Sequence, residues 1–63
     1  MSSEERKCLH KLANKITIVQ GNLKKILQGR TEDQNVELKK MEAALDESIL
    51  LVQTLQELLS NED

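Results

Sequence analysis

Apolar and polar positions follow one another along this chain at helical spacing, with almost no break. From Leu9 the apolar residues Leu12, Ile16, Val19, Leu23 and Ile26 arrive at intervals of three and four. This is the a/d repeat of a helix that buries one stripe. Cys8, Ala13 and Leu27 widen the stripe toward the broad face of a bundle helix. The repeat stops at Gly29, a residue suited to the left-handed position just past a helix end. Ser2 followed by Glu5 fits a capping box at the other end, so a first helix is expected over about residues 3–28.

A second start signal follows at once. Thr31 with Glu32, Asp33 and Gln34 reads as another capping box, its acidic residues set on the positive end of the helix dipole. Leu38, Met41, Leu45, Val52, Leu55 and Leu59 then form a second a/d seam, with Ser48 as its one polar member. Ala44, Ile49, Leu51 and Leu58 flank that seam. The second helix is expected over about residues 32–60. Two helices of about 25 residues, each ~38 Å long, joined by about two to four residues, must fold back as an antiparallel hairpin. The fold class is therefore all-α, and residues 1–63 make a single domain. One hairpin cannot cover faces this wide. The sequence predicts a homodimer, two hairpins packed as a four-helix bundle.

Size and composition point the same way. A chain of 63 residues is short for a self-sufficient core and ordinarily needs disulfides, a metal or a partner subunit. One cysteine excludes an internal disulfide, and one His with one Cys cannot make a four-ligand structural zinc site. Association with another copy is what remains. The lone Cys8 suits a reducing, cytoplasmic setting. No apolar run reaches a membrane span, and the opening MSSEERK is too polar for a signal peptide.

The net charge of −2 conceals an asymmetry. Residues 1–30 hold seven basic side chains against Glu4 and Glu5, net +5, whereas residues 31–63 hold two against nine carboxylates, net −7. Two such halves attract each other when folded side by side. A nucleic-acid surface is the poorer explanation, because the basic half has no stacking aromatics and the acidic half repels phosphates.

His10, the only histidine, falls at heptad position b, outside the seam and toward solvent. Asn14, Thr17 and Gly21 lie four, seven and eleven residues further along the same side. Ile18 stands at a c position where a plain bundle prefers a polar residue. Gly21 costs about 1 kcal/mol relative to alanine inside a helix. Together they suggest a surface that another backbone approaches closely. Arg6, Lys7, Lys11 and Lys15 surround the histidine, and no carboxylate on its own helix reaches the ring. Such surroundings favour the neutral, nucleophilic imidazole and welcome a phosphoryl group. They offer no carboxylate-backed triad. Each feature alone has a plain explanation: a solvated histidine, lysines for solubility, a stray surface isoleucine, a tolerated glycine. Cys8 is a small core filler before it is a redox sensor.

In combination, His10, Asn14, Ile16, Val19, Gly21, Asn22 and Leu23 resemble the H-box of the dimerisation and histidine phosphotransfer domain of bacterial sensor histidine kinases. The run from His10 to Leu23, Lys15 included, is similar to the form carried by the sporulation phosphorelay phosphotransferases and their kinase relatives. The specific likeness spans about 14 residues; the hairpin pattern spans nearly the whole chain. The resemblance implies a dimeric four-helix bundle with His10 as phosphoacceptor and Asn14 positioning a water or the phosphoryl group. It implies a response regulator receiver domain as partner, possible traffic with a histidine kinase, and Mg²⁺ brought by the receiver rather than bound by this chain. Lys11, Lys15, Thr17, Ile18, Gly21 and, on the second helix, Leu50 at an outward f position would form the docking surface. His10 should stand level with about Glu47 to Thr54.

Two departures bear on activity. Kinases of that family usually place an acidic residue directly after the histidine, where it serves as a base in autophosphorylation; here Lys11 stands. Many have proline at the position of Lys15. No glycine-rich nucleotide loop occurs in the chain. The expected function is phosphotransfer without intrinsic ATP-dependent kinase activity. Two alternatives stay open: a module that binds a regulator or kinase without accepting phosphate, and a plain helical dimerisation element.

Overall fold

The computed structural model describes residues 3–60. They form two helices, α1 (Ser3–Leu27) and α2 (Gln34–Ser60), packed as an antiparallel hairpin of 48 × 15 × 12 Å. The all-α hairpin expected from the sequence is the observed fold. Ser2, the expected first cap, lies outside the described residues.

The end of α1 behaves as its glycine foretells. Gly29 has φ +67°, the Arg30 N–H donates to the Lys25 carbonyl at 3.0 Å, and the Gly29 N–H donates to Ile26 at 3.1 Å. These are the two bonds of a Schellman cap. The connection is longer than expected, running from Gln28 to Asp33. Its far end is also capped by a different residue. Asp33, not Thr31, caps α2: its Oδ1 accepts the Asn35 N–H at 3.0 Å. Thr31 instead donates its hydroxyl to the Glu37 carboxylate. Glu37 faces inward and is buried, so its carboxylate reaches back to the turn and claims Thr31.

The helices meet through rows other than the expected a/d pair. On α1 the buried or half-buried positions are Glu5, Cys8, Leu12, Lys15, Val19, Asn22 and Ile26; on α2 they are Glu37, Met41, Ala44, Ser48, Leu51, Leu55 and Leu58. In heptad terms both helices present d together with g. Each is rolled by roughly 50° from an a/d contact, about half of one residue's rotation. The a rows, Leu9, Ile16 and Leu23 with Leu38, Leu45, Val52 and Leu59, stay exposed. The physical reason is that each helix carries an apolar face wider than one neighbour covers. With a single neighbour, one flank of the broad face is used and the other is left open. Among the described residues the only buried hydrophobic side chains are Cys8 and Ala44.

Two cross-helix contacts fix the register. The Cys8 thiol donates to the Leu51 carbonyl at 3.3 Å, and Lys15 Nζ pairs with Glu47 Oε2 at 2.8 Å. His10 lies between Cys8 and Lys15 along α1, which sets it level with the stretch from Glu47 to Leu51, as expected. Among the described residues no helix is long and apolar enough to cross a membrane.

Candidate functional site around His10

Cys8 and Leu12 both face α2, and His10 is two residues from each. Two residues turn a helix by ~200°, so His10 is carried to the side of α1 farthest from α2. The ring is exposed, and no hydrogen bond or ion pair among the described residues engages it. The amphipathic pattern that glues down one side of α1 is therefore what displays the ring on the other.

Asn14, Thr17 and Gly21 continue this outer strip and are all exposed. The Thr17 hydroxyl donates to the Ala13 carbonyl at 2.9 Å, which leaves its oxygen free to accept outward. A Cβ built on Gly21 would meet nothing within 4 Å. The hairpin itself makes no demand for glycine there. Arg6 and Lys7, one turn before His10, are exposed as well. The strip is cationic at its N-terminal end and becomes polar and uncharged beyond the ring.

The remaining expected docking residues form a second group. Lys11, Lys15, Glu47, Leu50 and Leu51 line one shallow groove between the helices, on the flank opposite the exposed a rows. Leu50 is 62% exposed and Ile18 is 41% exposed. Lys15 is committed to Glu47, whereas Lys11, adjoining the histidine, has no partner among the described residues. The structure thus sorts the expected site residues into an outer strip (His10, Asn14, Thr17, Gly21) and a groove wall (Lys11, Lys15, Leu50). It does not place His10 and Leu50 in one groove.

Sequence reasoning missed several inward polar side chains. Glu5 is 2% exposed, and Asn22, quoted in the motif, is buried with its Nδ2 donating to the Ile18 carbonyl at 2.7 Å. Asn22 therefore serves the helix interior rather than a partner surface. The spacing Glu5, Cys8, Leu12, Lys15, Val19, Asn22 was the available signal. It is as regular as the apolar seam but hidden by its polar members.

No family model, curated protein or solved structure matches this chain. The residues around His10 and their geometry carry the functional argument.

Proposed function

We propose that the protein is a histidine phosphotransfer protein of a bacterial two-component system or phosphorelay, taking and passing on a phosphoryl group at His10 with a response regulator receiver domain. The observation that carries this reading is an exposed, unengaged imidazole heading a strip of Asn14, Thr17 and Gly21, with Arg6, Lys7 and Lys11 around it. In the accepting direction, a neutral ring nitrogen attacks the phosphorus of the receiver's aspartyl phosphate. The bond to the acyl oxygen breaks, and its electron pair leaves with the carboxylate. The proton on the other ring nitrogen passes to water, which an exposed ring meets freely. Catalysis is positioning and charge neutralisation. The cations around His10 offset charge on the phosphoryl oxygens; Mg²⁺ held in the receiver's own acidic pocket would supply charge neutralisation for the leaving carboxylate. Asn14, one turn on, orients the phosphoryl group or a water. The working unit in this reading is a cytoplasmic homodimer, and a histidine kinase is a further candidate donor.

The test is direct. Mixed with a phosphorylated receiver domain, the protein should acquire acid-labile, base-stable phosphate, and His10→Ala should acquire none. Equal labelling of the two would remove the reading.

Lys11 favours a second reading. A cation where related kinases hold an acidic residue suits a module that sequesters a regulator or kinase without accepting phosphate. Receiver binding that survives His10→Ala, with phosphate never found on the chain, would select it. A plain dimerisation element predicts instead that Ile18→Asp leaves all partner binding unchanged.

A further inference from the structure

The groove on the flank opposite the a rows does not end at Lys11. Two shallow depressions share Lys11 and Leu51 and run on as one channel between the helices, from Lys15 and Glu47 at one end to Glu4 and Leu58 at the other. Glu4 and Lys15 are eleven residues apart on α1, which makes the channel ~16 Å long, about three helical turns. Its floor is Cys8, buried and held to the Leu51 carbonyl at 3.3 Å.

The two walls differ in kind. On the α1 wall Lys7, Lys11 and Lys15 stand four apart, each one turn beyond the last. The α2 wall is Leu50, Leu51 and Leu58, with the exposed Thr54 among them. Lys15 is committed to Glu47 at 2.8 Å. Lys7 and Lys11 are exposed, and neither has an ion-pair partner among the described residues. The groove along the a rows carries no charge, so the two faces of the hairpin call for different occupants.

We infer that this channel receives an acidic amphipathic helix of a partner protein, with carboxylates four residues apart set on Lys7 and Lys11 and an aliphatic stripe laid on Leu51 and Leu58. Carboxylates at i and i+4 of a helix repeat the ~6 Å step between the two lysines. Anchors at i, i+3, i+4 and i+7 are how a helix is read in a groove, and three turns hold that set. A third helix seated between two antiparallel ones is also the ordinary way a hairpin extends its packing. The lysines supply the charge that the helix must match, and the leucine wall supplies the burial. The channel lies on the far side of Lys11 from the His10 ring, so the inference stands apart from the phosphotransfer reading.

The probe is a fluorescently labelled, alanine-based peptide of about 18 residues, long enough to be helical alone. It carries two Glu four apart on one flank and Leu along the adjoining flank, and its anisotropy is read against the full chain. It should bind saturably and lose affinity as salt is raised. The double variant Lys7→Glu with Lys11→Glu should bind it at least about tenfold more weakly. Thr54→Glu, which sets a carboxylate on the apolar wall from an exposed position, should weaken it too, with helical circular dichroism retained in both variants. A peptide of the same composition with Glu and Leu alternating presents the two flanks only when extended, and it should not bind. Equal binding of that peptide would overturn the inference, as would an affinity that the lysine reversals leave unchanged. Co-sedimentation of the chain with phosphatidylglycerol vesicles, lost in the lysine double variant while the helical peptide fails to bind, would assign the channel to a lipid surface instead. Phosphate uptake at His10 from a phosphorylated receiver should survive Thr54→Glu. Its loss together with peptide binding would place the channel inside the receiver's own footprint and remove the separate partner. Peptide binding is read without phosphate, so it stands or falls apart from the function proposed above.

Discussion

At Gly21 the missing side chain is not required by the hairpin. A Cβ there meets open space, and φ is not positive. Glycine inside a helix costs about 1 kcal/mol relative to alanine, so Gly21→Ala should stabilise the fold by about that amount. The thermal midpoint should rise by roughly 4–8 °C, as expected for a domain of this size. If the residue is kept for close approach by a receiver, the stabilised variant should bind the receiver more weakly. Glu37 gives a second residue-scale outcome. The Thr31 hydroxyl holds its carboxyl below the usual carboxylate range, with Lys40 and Lys25 assisting and partial burial opposing. A depressed folded-state value means the contribution is present above the unfolded carboxylate value and is lost as pH falls through the folded one. Thermal melts taken on the acid side should therefore fall less steeply for Thr31→Val than for the unaltered chain. An identical slope would mean that the hydroxyl does not stabilise the charged form.

At the scale of the elements, the same substitution has the opposite sign in the other glycine. Gly29 ends α1 at φ +67°, where a Cβ costs about 1–2 kcal/mol. Gly29→Ala should lower the midpoint by at least as much as Gly21→Ala raises it. The helices and this cap were legible in the sequence because they depend on nearest neighbours along the chain: spacing of three and four, then a glycine. The roll of each helix was not. Leu12, Val19 and Ile26 at d are flanked by a leucine-rich a row on one side and by Cys8, Lys15 and Asn22 on the other. Which flank turns toward α2 depends on residues some forty positions away. Lys15 belongs inside the hairpin only because Glu47 stands level with it. The cap of α2 was misread for a similar reason, since Thr31 is drawn off by a carboxylate that the packing of Glu37 delivers. The candidate site was legible to the same degree. The b position exposes His10 whichever flank is used, whereas the separation of Leu50 from the outer strip needed the true roll.

For the whole molecule these choices leave a hairpin whose contact face mixes apolar and polar side chains and whose a-row apolar residues lie outside. Glu5, Lys15, Asn22, Glu37 and Ser48 point inward, and Ile16, Leu38, Leu45 and Ile49 are half exposed or more. A chain of this size has little stability to spare, and Cys8 and Ala44, the buried hydrophobic side chains among the described residues, supply little of it. If the core forms between copies, unfolding includes dissociation, and stability then depends on chain concentration by mass action. The thermal midpoint should climb steadily as the protein is concentrated from about 1 to 100 μM, a hundredfold span that adds about 2.7 kcal/mol to the unfolding free energy of a dimer counted from separate chains. Leu45→Glu should melt at a lower temperature with no concentration dependence, because it removes the second copy and spares the g and d contacts between α1 and α2. A midpoint that stays constant across that range for the unaltered chain would mean that the inter-helix seam suffices by itself. His10 would then be displayed on an autonomous hairpin, with no second chain beside it.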